Sequence, residues 1–70
     1  MAGFNHKLLL NLRDSKGWSR REVMLKLYDA GIEISEETLA SWEKGDTVPD
    51  ADKLGTLSKM FGVAIETLVK

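Results

Sequence analysis

Few side chains in this 70-residue chain are equipped to make or break bonds. Histidine occurs once, at His6, cysteine is absent, and no glycine-rich phosphate loop is present. Such a set gives a catalytic reading little to stand on. His6 stands beside a helix cap, where an imidazole is more often a hydrogen-bonded surface residue than a ligand. One histidine without thiolates or clustered carboxylates makes a poor metal site. No enzyme activity, metal, cofactor or small-molecule substrate is therefore expected. What remains is recognition chemistry: guanidinium groups at Arg13, Arg20 and Arg21, hydroxyls at Ser35, Thr38 and Ser41, and carboxylates at Glu36 and Glu37.

These groups must be positioned by elements whose punctuation is readable. Asn5, Ser19, Ser35 and Asp50 are good N-caps, because their side-chain oxygens accept from backbone N–H groups that a helix start leaves orphaned. Ser19-Arg20-Arg21-Glu22 completes a capping box. Apolar residues precede each cap and recur five positions later, as in Phe4 with Leu9, Trp18 with Val23, Ile34 with Leu39, Pro49 with Leu54 and Val63 with Leu68. Ala64 offers no acceptor, so the last helix starts loosely. Gly17, Gly31, Gly45 and Gly62 supply the stops. The predicted helices run about 5–16, 20–29, 36–44, 51–61 and 65–69.

Apolar residues fall at helical spacing within them: Leu8, Leu9 and Leu12; Val23, Met24 and Leu27; Leu39 and Trp42; Leu54, Leu57 and Phe61; Ile65 and Leu68. Each helix is too short to persist alone in water, so one shared core over residues 1–70 is expected, without help from disulfides. No secretion signal or membrane-length apolar run is visible, and a cytoplasmic protein with no membrane partner is expected. The net charge of -1 is unevenly spread. Residues 1–26 carry six Lys or Arg against two acids, a charge of +4, while residues 27–70 carry four against nine, a charge of -5. One basic face is thus compatible with an acidic average.

The stretch Leu12-Arg13, Lys16-Gly17-Trp18-Ser19-Arg20, Ile34-Ser35, Thr38-Leu39, Trp42-Glu43-Lys44-Gly45, Pro49 and Phe61-Gly62-Val63 resembles the lambda-repressor and Cro-like helix-turn-helix family across about residues 5–69. The resemblance implies an all-α, five-helix DNA-binding fold. One departure is visible: seven residues, Tyr28 to Ile34, separate Leu27 from Ser35 where the commonest members resemble a tight turn. Ile32 and Ile34 are expected to cover core beneath that lengthened turn. Met24 stands where the family often has Ala.

The resemblance further implies a small transcriptional regulator of double-stranded DNA whose third helix enters the major groove. Its base readers would be Glu36, Glu37, Thr38, Ala40 and Ser41, with Arg20, Lys44 and Thr47 toward phosphate. Arg13 would form a buried structural ion pair with Glu43. Trp42 is assigned to the core and Lys7 and Lys16 to solvent. A homodimer reading two half-sites is the expected state on DNA. Glu36 and Glu37 leave two readings open. A glutamate can accept from the exocyclic amine of cytosine, or acids in the first turn can simply favour the helix dipole. A rival function also follows from them: a protein-interaction module that has lost DNA binding and uses the acidic third-helix face.

Overall fold

The computed structural model describes residues 3–69. Its elements are α1 (His6–Lys16), α2 (Arg20–Asp29), α3 (Glu36–Lys44), α4 (Ala51–Phe61) and α5 (Ile65–Leu68), with no strand among the described residues. Four of the five starts are closed by side chains. Asn5 accepts from the Leu8 N–H, Ser19 from Glu22, Ser35 from Thr38 and Asp50 from Lys53. Glu22 also accepts from the Ser19 N–H at 2.8 Å, so the capping box is reciprocal. Ala64 makes no cap bond, and α5 is only four residues long. Asn5 lies just before α1 as its cap, and Val69 has already left helical geometry.

Between α2 and α3 the chain needs more than a tight turn. Ala30 closes α2, Gly31 follows at φ 92°, and the Ile32 N–H reaches back to the Leu27 carbonyl at 2.8 Å. That bond folds the extra residues inward. Ile32 and Ile34 are half-buried and pack against the core.

Every helix contributes to one apolar cluster: Leu9 from α1, Val23 and Leu27 from α2, Leu39 and Trp42 from α3, Leu57 and Phe61 from α4, and Leu68 from α5. Leu8, Leu12 and Leu54 are half-buried on its margin, together with Phe4, Trp18, Met60 and Val63. Ile65 corrects the sequence expectation, since 37% of it is exposed. The reason lies in how α5 is held. The Asn5 N–H donates to the Leu68 carbonyl at 2.7 Å, which draws the end of α5 against the start of α1. Ile65, at its uncapped beginning, is left at the rim.

Candidate nucleic-acid interface

The apolar side of α3 seats it on the core and leaves the other side outward. Leu39, Trp42 and Glu43 are buried, Glu36, Glu37 and Lys44 are exposed, and Thr38, Ala40 and Ser41 are half-buried. Thr47, past the end of α3, is exposed. The hydroxyls of Thr38, Ser41 and Thr47 already have partners. Thr38 Oγ1 lies 3.0 Å from Ser35 Oγ, and Thr47 Oγ1 donates to Ser41 Oγ at 2.8 Å. Glu37, Thr38, Ser41 and Thr47 border an open groove of about 490 Å³, closed on its far side by Asp50 and Lys53 at the start of α4. Glu36, Ala40 and Lys44 lie outside that groove, and Arg20 is directed elsewhere.

Arg20 and Arg13 meet at one carboxylate. Arg13 Nε lies 2.6 Å from Glu43 Oε2 and its Nη2 lies 3.3 Å from Oε1, while Nη1 donates to the Trp18 carbonyl at 2.9 Å. Arg20 Nε approaches Glu43 Oε1 at 2.9 Å. Glu43 is thereby the joint of α1, α2 and α3. Its side chain is 2% exposed, against 13% for Arg13 and 42% for Arg20. The hydrogen bonds that Arg13 donates to Glu43 hold its guanidinium pKa above the usual value, against the burial that would lower it. Arg20 commits Nε to this joint, so part of its guanidinium remains open to solvent.

The end of α3 is held from α1. His6 Nδ1 lies 3.0 Å from the Glu43 carbonyl oxygen, which can only accept, so the ring donates from Nδ1. That carbonyl is among the last four of α3, which have no partner within the helix. Gly45 then turns the chain at φ 85°, and a Cβ built there would sit 2.8 Å from His6 Cδ2. Glycine is required at this point twice over, by conformation and by space. Sequence reasoning placed His6 at the surface and missed this role. No local pattern carries it, because it depends on where α1 crosses the end of α3. Among the described residues no group of three or more His, Asp or Glu is arranged to hold a metal, and no helix is long and apolar enough to cross a membrane.

Five short helices, with α2 and α3 locked through a shared carboxylate and α3 open on its outer side, define a helix-turn-helix domain. A family model described as helix-turn-helix matches residues 9–68. The chain belongs to the lambda-repressor-like helix-turn-helix family, which points to a DNA-binding regulator and not to an enzyme. No curated protein and no solved structure matches it.

Proposed function

We propose that this protein binds double-stranded DNA sequence-specifically as a small transcriptional regulator, with α3 in the major groove. The observation that carries the reading is the open outer side of α3: every candidate base reader on it is exposed or half-buried, while its inner side is fixed in the core. Thr38 and Ser41 supply hydrogen-bonding hydroxyls, and Ala40 is small enough to meet a thymine methyl. Arg20, at the positive end of α2, offers its free guanidinium nitrogens to a phosphate. Lys44 and Thr47 serve the backbone beyond the end of α3. The protein acts in the cytoplasm, as a homodimer on two half-sites about 34–36 Å apart.

Selection of bound duplexes from a random pool, followed by a salt titration of the winner, tests this directly. A symmetric consensus and a steep linear fall of log K with log salt are expected. Arg20→Ala should weaken all sequences about equally and make the slope shallower by about 1. No enrichment, with no duplex binding even at low salt, would reject the reading.

One observation favours a second function. Glu36 and Glu37 are exposed and make no ion pair among the described residues, so α3 presents negative charge where DNA brings more. On that reading the domain is an interaction module for a basic protein surface. Charge reversal at Glu36 and Glu37 would then abolish capture of the partner without affecting any duplex.

A further inference from the structure

Away from α3, a shallow notch of about 550 Å³ opens between α2 and α4, bordered by Trp18, Lys26, Ala30, Thr56, Lys59 and Met60. None of the proposed DNA contacts borders it. Trp18 is its fixed wall: the indole packs on Phe61 with ring centroids 5.6 Å apart, so the core holds it in place. Lys26 Nζ lies 4.5 Å from the Trp18 ring centroid and Lys16 Nζ lies 5.9 Å from it. Lys26 thus stands over the aromatic face that walls the notch, with Lys16 at the outer reach of such a contact. Neither they nor Lys59 make an ion pair among the described residues.

Among the described residues no acid borders the notch. Glu22, which accepts from the Ser19 N–H, and Asp29 border a separate depression that they share with Lys26. Two lysines and no carboxylate thus border the notch in a chain whose net charge is -1. Its form decides the kind of occupant. A small ligand is held by burying about 70–90% of its surface. Every residue bordering this notch is exposed or half-buried, which suits a segment lying across it. An indole wall and a methionine thioether add a place for one apolar side chain.

We propose that this notch docks an acidic peptide segment of a partner protein, its carboxylates paired with Lys26 and Lys59 and one aromatic anchor packed against Trp18 and Met60. The site is independent of α3 and stands whether or not α3 reads DNA.

The test uses the full chain and three probes: a capped Glu-Asp-Phe-Asp-Glu peptide, its neutral Gln-Asn-Phe-Asn-Gln counterpart and a random-sequence duplex. The two tryptophans give two indole N–H signals in a proton–nitrogen NMR spectrum. The acidic peptide should move the Trp18 signal and leave that of buried Trp42 in place, while the neutral peptide moves neither. Lys26→Gln combined with Lys59→Gln should weaken binding about tenfold or more. Both positions are exposed, and the spectrum of the free variant reports directly that it is folded. The proposal is overturned if the acidic peptide leaves Trp18 unmoved, if the neutral peptide binds as well, if the double variant binds undiminished, or if the duplex displaces the peptide from Trp18.

Discussion

Glu43 serves two arginines on unequal terms, and the inequality is measurable. Arg13 is nearly enclosed and bonds through all three of its guanidinium nitrogens to Glu43 and the Trp18 carbonyl, so its loss strips a buried carboxylate of its main partner. Arg13→Ala or Glu43→Ala should cost about 3–5 kcal/mol in urea denaturation. Arg20→Ala should cost below about 1 kcal/mol, since its own side chain is 42% exposed and Arg13 remains on the carboxylate. Equal losses at Arg13 and Arg20 would show that this division of the joint is wrong. Arg20 and Arg21 also place two cations at the positive end of α2, an unfavourable position that Glu22 and Glu43 offset. An approaching phosphate would extend the same compensation. In the sequence, the Arg13–Glu43 pairing followed only from family resemblance. The second bond was not readable at all, because Ser19-Arg20 is locally a helix opening and its partner lies 23 residues away.

Helix starts were readable because a cap is a property of a few adjacent residues, and Asn5, Ser19, Ser35 and Asp50 each close a helix with their own side chain. What could not be read was the packing between elements: the seat of His6 beside Gly45 and the outward rim position of Ile65 both depend on helix crossings. The readable part yields a stabilising change. Ala64→Ser supplies the missing cap of α5 and should add about 1 kcal/mol, seen as a higher urea midpoint with an unchanged m-value. The unreadable part yields a destabilising one. Gly45→Ala should cost more than about 1 kcal/mol, and combining it with His6→Ala should recover the steric share but not the share due to positive φ. A double-mutant cycle with no coupling would show that His6 does not confine that turn. Acid should act on the caps. The Ser19 backbone N–H, then its hydroxyl, hold the Glu22 pKa below its usual value, and the Lys53 ammonium, then its backbone N–H, do the same for Asp50. Each depressed carboxylate contributes stability that is complete above its unfolded pKa, about 4, and is lost as pH falls through its folded value. Thermal midpoints should therefore decline below about pH 4, less steeply in Glu22→Gln than in the parent chain.

Over the whole molecule, the separation of charge along the chain becomes a conflict at the proposed interface. Residues 1–26 bring Arg20 with a charge of +4, whereas α3 comes from the segment carrying -5 and leads with Glu36 and Glu37. If α3 lies in a groove, those acids face phosphates, and the double change Glu36→Gln with Glu37→Gln should raise affinity for random duplex by about tenfold at low salt. The selected site then separates the two roles the acids can play. Where a glutamate accepts from a cytosine amine, its loss removes about 1–3 kcal/mol of discrimination, so specific and random affinities converge. Where the acids only favour the dipole of α3, both affinities rise together and the ratio stands, while the folded state loses about 0.3–1 kcal/mol for each acid removed. Competition binding with the selected and random duplexes, set beside urea denaturation of the same variant, reads both quantities. Unchanged affinity for random duplex would mean that the acids never approach phosphate, and the placement of α3 in the groove would fall with it.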